Sequence, residues 1–186
     1  DRLKGEFVNA VSHDLRTPLT TIRGYAEFLE DGLGGQLAQE QLGFVAQIQK
    51  ATRRLEGLVD DLLDAARIEA GTFRLRLEQA DLCPLIAEIV ESLRPQAEEH
   101  RLELVHVSPP EPCEAAIDVR RIQQVLTNFV HNAIKFTPDG GRVAVVLARE
   151  GDMFRCEVHD SGPGIAAEDL PRLFQRFGQL PGGMAK

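Results

Sequence analysis

The chain is short of basic residues, of cysteine and of long apolar runs, and each shortage removes a class of function. Its 21 lysines and arginines face 29 aspartates and glutamates, for a formal charge of −8. A surface of that sign disfavours bulk attraction to nucleic acid or to an anionic membrane, so no nucleic-acid partner is expected. The three cysteines, Cys83, Cys113 and Cys156, are odd in number, far apart and free of paired spacing. That points away from a disulfide framework or a zinc site and toward a reducing cytoplasm. No apolar run approaches the roughly 18 residues that a membrane-crossing helix needs. The start at Asp1, with no signal-like segment, reads as a piece of a longer protein whose membrane tether or sensor domain would lie upstream.

What is present is first a helical rhythm. Val8, Val11, Leu15, Pro18, Ile22, Tyr25 and Leu29 alternate three and four apart, the a/d spacing of a helical bundle. The spacing predicts a helix from about Arg2 to Asp31, stopped by Gly32, Gly34 and Gly35, and a second from Gln39 to Gly71 carrying Val45, Ile48, Thr52, Leu55, Val59, Leu62 and Ala66. The pair makes an antiparallel hairpin. Leu58, Leu62, Leu63 and Ile68 widen the second stripe beyond what one hairpin can shelter, so a homodimer closing a four-helix bundle is expected. The alternative is a monomer whose hairpin packs on the rest of the chain. On this register His13 falls at the exposed f position, beside Asp14, with Arg16 and Thr17 one turn further along. An imidazole held in water with those neighbours is placed for chemistry; the bland alternative is an ordinary surface histidine.

After Gly71 the period shortens. Phe73, Leu75 and Leu77 predict a strand; Asp81 caps a helix reaching about His100; Arg101–Val107 and Ala115–Ile117 read as extended; and Asp118 caps a helix to about Phe136. Two alternating runs, 142–149 and 153–159, flank Glu150-Gly151-Asp152 as a hairpin, and a short helix is expected over 168–177. The fold class is therefore α+β: a helical hairpin over 1–71, then a sheet covered on one face by helices over 72–186.

The helix over 118–136 has an apolar stripe, Ile122, Val125, Leu126, Phe129, Ala133 and Phe136, and a second side bearing Asn128, Asn132 and Lys135. Two carboxamides and an ammonium on one side offer an oxygen to a metal, hydrogen bonds to water and a charge to phosphate. Asparagine is a poor helix former, which weighs against mere surface decoration. Asp160-Ser161-Gly162-Pro163-Gly164 follows directly on a strand. Its glycines admit close approach of a ligand to the backbone, and Asp160 can accept a hydrogen bond from an exocyclic amine, although taken alone the segment is also an ordinary turn.

These segments together carry a resemblance. Ser12-His13-Asp14-Leu15-Arg16-Thr17-Pro18-Leu19 resembles the H box of the sensor histidine kinases of two-component systems. Asn128-Phe129-Val130-His131-Asn132-Ala133-Ile134-Lys135-Phe136-Thr137-Pro138 resembles their N box, Asp160-Ser161-Gly162-Pro163-Gly164-Ile165 their G1 box, and Leu173-Phe174-Gln175-Arg176-Phe177 their F box. The resemblance implies a dimeric four-helix bundle followed by an α/β-sandwich ATP-binding domain. His13 would attack the γ-phosphate of ATP and pass the phosphoryl group to an aspartate on a response-regulator receiver domain. A reference pKa of about 6.5 leaves roughly three quarters of histidine side chains neutral at pH 7, so a lone pair is at hand. Asp14 stands where most such families have glutamate; it keeps the charge and would hold the ring tautomer. Arg16 would steady phosphate charge, and Thr17 matches a position that orients water for dephosphorylating the regulator. By the same resemblance Asn132 coordinates Mg2+, Asn128 has a polar role near the metal, Lys135 meets the phosphates, Asp160 reads adenine, Gly162 and Gly164 lie beneath the base, and Arg176 reaches the terminal phosphate.

The sequence departs from the family in one respect. A second glycine-rich box of the type Gly-x-Gly-Leu-Gly-Leu has no counterpart, since the chain ends at Pro181-Gly182-Gly183-Met184-Ala185-Lys186. These 186 residues alone are expected to bind ATP poorly and to leave a sheet edge and apolar surface uncovered. The rival reading is accordingly a dimeric scaffold that docks a partner without turning over ATP.

Overall fold

Two long amphipathic segments form helices α1 (Arg2–Glu30) and α2 (Gln39–Glu69). In this computed structural model the backbone of residues 2–173 is described, with the side chains of 14–171 and of Leu173. The chain divides into two units, Asp1–Leu75 and Arg76–Lys186. In the first, α2 begins where Gln41 Oε1 accepts the Ala38 N–H at 2.8 Å, and its direction relative to α1 follows from the cross-links between them. Arg16 meets Asp60, Arg23 meets Glu56, and Glu30 meets Gln49, so the helices run antiparallel.

The side of the hairpin that closes keeps only part of the expected seam: on α2 Val45 and Thr52 turn inward as expected, whereas on α1 Leu19 and Ala26 take the place of the expected residues. Leu19, Ala26, Val45 and Leu63 are buried, together with Thr52 and Gln49. Both polar groups are satisfied there: Thr52 Oγ1 donates to the Ile48 carbonyl at 2.8 Å, and Gln49 Nε2 to Glu30 Oε2 at 2.7 Å. Leu15, Ile22 and Leu29 on α1, and Ile48, Leu55 and Leu62 on α2, are exposed, each set at strict heptad spacing.

In the second unit, β1 (Glu78–Asp81) pairs antiparallel with β3 (Glu114–Ile117). Strands β2 (Glu103–Val107), β4 (Arg142–Glu150) and β5 (Met153–Asp160) form a second sheet with β4 central, parallel to β2 and antiparallel to β5. Gly151, at φ 61°, makes the turn between β4 and β5. Helices α3 (Leu82–Glu99) and α4 (Val119–Phe136) start at aspartates. Asp81 Oδ1 accepts the Cys83 N–H at 3.0 Å, and Asp118 Oδ1 the Arg121 N–H at 3.2 Å. The core joins Ile86, Ile89, Val90 and Leu93 of α3, Val130 and Ile134 of α4, and the alternating Val143, Val145 and Leu147 of β4.

Two expectations are corrected. Residues 72–77 form no strand; Leu75 and Leu77 are exposed, and pairing starts only at Glu78, because the partner β3 is four residues long. Asp118 ends that partner and takes the Arg76 N–H on Oδ2 at 2.9 Å, fixing the approach without a ladder. Of the helix expected over 168–177, Leu170–Arg172 forms a single 3₁₀ turn, and residues 174–177 lie outside the described residues.

Three carboxyls of this unit sit below the usual carboxylate range. Asp118 is held there chiefly by the Arg76 N–H, Asp81 by the N–H groups of Cys83 and Cys113, and Asp139 by the Arg101 guanidinium at 2.8 Å. A folded-state value below the unfolded one means that the unfolded chain binds more protons as pH falls. The stabilisation is complete above the unfolded value of about 4 and is lost as pH drops through the lowered folded values. The Tm of this unit should therefore fall between pH 5 and 2 on the order of the acid limb common to such carboxylates, and Asp118→Asn should flatten that limb. An unchanged acid slope in the variant would show that these hydrogen bonds do not set it.

Candidate functional site

Helix α4 is amphipathic around more of its circumference than one sheet can cover. It buries Leu126, Val130, Ala133 and Ile134 and leaves Asn128, Asn132 and Lys135 exposed along another side. Neither asparagine carboxamide has a hydrogen-bond partner among the described residues, so both are free to take one. Lys135 Nζ lies 4.9 Å from the centre of the Phe136 ring, which steadies the ammonium near the helix end.

The turn after β5 stands against that same end. Asp160 Oδ1 accepts the Gly162 N–H at 2.8 Å, folding the turn back on its own carboxylate. A Cβ at residue 162 would lie 2.6 Å from that oxygen and 3.1 Å from the Phe136 carbonyl oxygen, so a larger residue where the turn and α4 meet would have to displace the Asp160 carboxylate and press on the helix end. Gly164 takes φ 71°, and Ser161 Oγ accepts the Arg142 N–H at 2.9 Å, which ties the turn to β4. The turn that carries Asp160, Gly162 and Gly164 thereby meets the end of the helix that carries Lys135 and, about one and two turns earlier, Asn132 and Asn128. The exposed carboxamides, the Asp160 carboxylate and the Lys135 ammonium fit a nucleotide and its metal in donor type: acceptors for an amine and a hard cation, an ammonium for phosphate. Arg176 lies outside the described residues.

A cleft of about 710 Å³ opens elsewhere on the same unit, between Ile122, Val125 and Phe129 of α4 and Met153, Phe154 and Val158 of β5. None of the candidate residues lines it. Its walls are mainly apolar, with Glu114 and Asp152 the charged residues among them, and offer no cation to a phosphate.

On the hairpin, the backbone of His13 lies within α1, and its side chain lies outside the described residues. Asp14, Arg16 and Thr17 follow it, all exposed. Arg16 is engaged with Asp60 at 2.7 Å, and the Thr17 carbonyl accepts the Thr21 hydroxyl at 3.0 Å. An ion pair this exposed contributes about 0–1 kcal/mol and is easily exchanged for another anion. His131, one residue before Asn132, is exposed. His100 pairs with Asp139 and His159 with Glu157, and no group of three or more metal-ligating side chains occurs among the described residues. No helix of the described residues is long and apolar enough to cross a membrane.

Comparison with known proteins agrees with both halves. Residues 3–71 match the His Kinase A (phospho-acceptor) domain, and residues 117–185 match the histidine kinase-, DNA gyrase B- and HSP90-like ATPase domain. The sensor protein SphS of Synechococcus elongatus is 39% identical over 94% of the chain. The chain spans less than half the length of the curated relatives it matches, 41% in the case of SphS. Among solved structures, full-length ShkA in complex with AMPPNP is similar over 94% of this chain and 37% of its own, with a TM-score of 0.74 and 33% identity. The histidine kinase ThkA in complex with the response regulator TrrA is similar over 88% of this chain and 47% of its own, with a TM-score of 0.53 and 26% identity. With a phosphoacceptor helical hairpin, an α+β unit of the ATPase type and relatives of this kind along its whole length, the chain belongs to the sensor histidine kinases of two-component systems.

Proposed function

We propose that the chain is the catalytic core of a kinase that moves the γ-phosphoryl group of ATP onto His13 and from there to an aspartate of a response-regulator receiver domain. The observation that carries this is the meeting, at Gly162, of the Asp160–Gly164 turn with the end of α4, the helix on which Asn128, Asn132 and Lys135 lie exposed. Support for the nucleotide comes from the ATPase-domain match and from the AMPPNP bound by ShkA; support for the regulator comes from the ThkA complex.

Residues 72–186 act in this reading as the ATP-binding domain and 1–71 as the dimerisation and phosphoacceptor domain. Asp160 accepts from the adenine amine through the carboxylate oxygen that Gly162 leaves open, while Gly162 and Gly164 let the base lie against the backbone. Lys135 and Arg176 face the phosphates. Asn132, with Asn128 beside it, would hold Mg2+, which when bound neutralises charge on the phosphates. His13 Nε2 attacks phosphorus, the bond to the ADP oxygen breaks, and ADP leaves. Asp14 accepts from Nδ1–H and fixes the tautomer, and Arg16, exchanging Asp60 for the phosphoryl group, steadies the charge. Thr17 orients a water when the regulator is dephosphorylated. A second copy supplies the cover for the heptad-spaced Ile22 and Leu55 stripes, and an upstream sensor domain sets the activity.

Incubation of the full-length protein with labelled ATP and magnesium should give an acid-labile, alkali-stable label. Its absence would favour a scaffold that docks a regulator without turnover. The nucleotide site has its own signature. Inosine triphosphate lacks the exocyclic amine, so the protein should bind it about 10–100-fold more weakly than ATP, the range for losing one hydrogen bond to a charged group. Asp160→Ala should weaken ATP alone and bring the ratio to about 1. A ratio that survives in the variant would place adenine recognition elsewhere.

A further inference from the structure

Two of the three cysteines, thirty positions apart in sequence, are brought side by side at the start of α3. Asp81 Oδ1 accepts both the Cys83 N–H at 3.0 Å and the Cys113 N–H at 2.9 Å, so one carboxylate oxygen ties the two backbones together. Leu82 N–H donates to the Cys113 carbonyl at 3.1 Å, and Asp81 pairs with Glu114 across β1 and β3, which fixes the neighbouring residues in the same register. The thiols share an acceptor as well. The Glu111 carbonyl lies 3.8 Å from Cys83 Sγ and 3.7 Å from Cys113 Sγ. Both are free thiols; Cys113 is buried and Cys83 half-buried, so solvent reaches the pair through Cys83. None of these groups belongs to the nucleotide site.

We propose that Cys83 and Cys113 form a reversible disulfide, made by exchange with a low-molecular-weight disulfide such as oxidised glutathione, that locks the first turn of α3 to the loop before β3. The Cys83 thiolate attacks one sulfur of glutathione disulfide and expels a glutathione thiolate. The Cys113 thiolate then attacks Cys83 Sγ in the mixed disulfide and expels the second. Two protein S–H bonds are lost and one S–S bond is formed; the two electrons pass to the glutathione disulfide, which leaves as two thiols with the two protons. In a reducing cytoplasm the pair stays open and closes only as the thiol–disulfide poise rises.

The same geometry sets the speed. Burial, with the adjoining Cys113 thiol and the Asp81 carboxylate behind it, pushes the Cys83 thiol up to about 11. The first exchange step is therefore slow at neutral pH and should quicken about tenfold per pH unit between 7 and 9 as the thiolate fraction grows. The device responds to sustained oxidation rather than to a brief pulse.

The test is equilibration of the chain in glutathione buffers of increasing oxidised fraction at pH 8.5, followed by acid quench, alkylation in denaturant and peptide mass analysis. The expected product is a Cys83–Cys113 cross-linked peptide about 2 Da lighter than its two components, with Cys156 alkylated throughout. Tm should rise by roughly 10 °C, reversibly with dithiothreitol, since the bond closes a loop of about thirty residues. Cys156→Ser should leave both effects intact, and Cys113→Ser should remove both. Full alkylation of Cys83 and Cys113 at every ratio, a Cys83 product that stops at the glutathione adduct, or a bond to Cys156 would each overturn the proposal.

Discussion

His13→Gln should abolish stable phosphoryl incorporation, lowering the label taken from ATP by at least about a thousandfold, while ATP affinity stays within about twofold. Glutamine occupies similar space on the helix and has helix propensity at least as good as histidine, so α1 and the pairing of its neighbours survive. What it lacks is a nitrogen lone pair free to attack phosphorus. The asymmetry between lost label and retained nucleotide binding is the informative part. A fall in both would mean that the variant had disturbed folding, and a label retained at wild-type level would move the acceptor to another residue.

Ile22→Asp or Leu55→Asp should turn a dimer into a monomer. Each side chain is about half exposed in the single copy, and each lies on a heptad stripe that the hairpin itself does not use. Burying such a group contributes about 1.5–3 kcal/mol, and a two-fold axis counts it twice. Replacing it with a carboxylate adds the cost of desolvating two like charges, so Kd should rise by about 10³–10⁴-fold. Sedimentation over a concentration series would measure this. Helicity should persist, because Leu19, Ala26, Val45 and Leu63 close the hairpin from the other side. Unchanged sedimentation in both variants would assign the exposed stripes to something other than a second copy.

The hairpin shows why one part of this fold was legible in the sequence and another was not. Periodicity located both helices to within a residue or two, and the aspartates at 81 and 118 marked both helix starts in the second unit. Periodicity could not tell which of two apolar stripes closes the hairpin. On α2 the expected Val45 and Thr52 turn inward together with Leu63 and with Gln49, which depends on Glu30 being there to bond it, and on α1 Leu19 and Ala26 replace the expected residues. Helix α4 has the same ambiguity: Leu126 and Ala133 of the expected stripe reach the core together with Val130 and Ile134, while Val125, Phe129 and Phe136 of that stripe stay about half exposed. Its apolar arc is wider than one contact surface.

The candidate site was legible as residue types but not as a place. Asn128, Asn132 and Lys135 could be put on one side of a helix by spacing alone. That the Asp160 turn stands against the Phe136 carbonyl is a tertiary fact, and its one local trace is the glycine at 162. Cys83 and Cys113 are the reverse case. Their separation along the chain argued against any pairing, and the strand register of β1 on β3 brought them together regardless.

The proposed function requires α4 to divide its work, a polar side for nucleotide and an apolar side for packing. Amide and side-chain NMR shifts on titrating magnesium and AMPPNP into the millimolar range would locate the bound nucleotide directly. Shifts concentrated at Asn128, Asn132, Lys135, Asp160, Gly162 and Gly164 are expected. Shifts confined to Ile122, Val125, Phe129 and Met153 would put the nucleotide in the apolar cleft and refute the division.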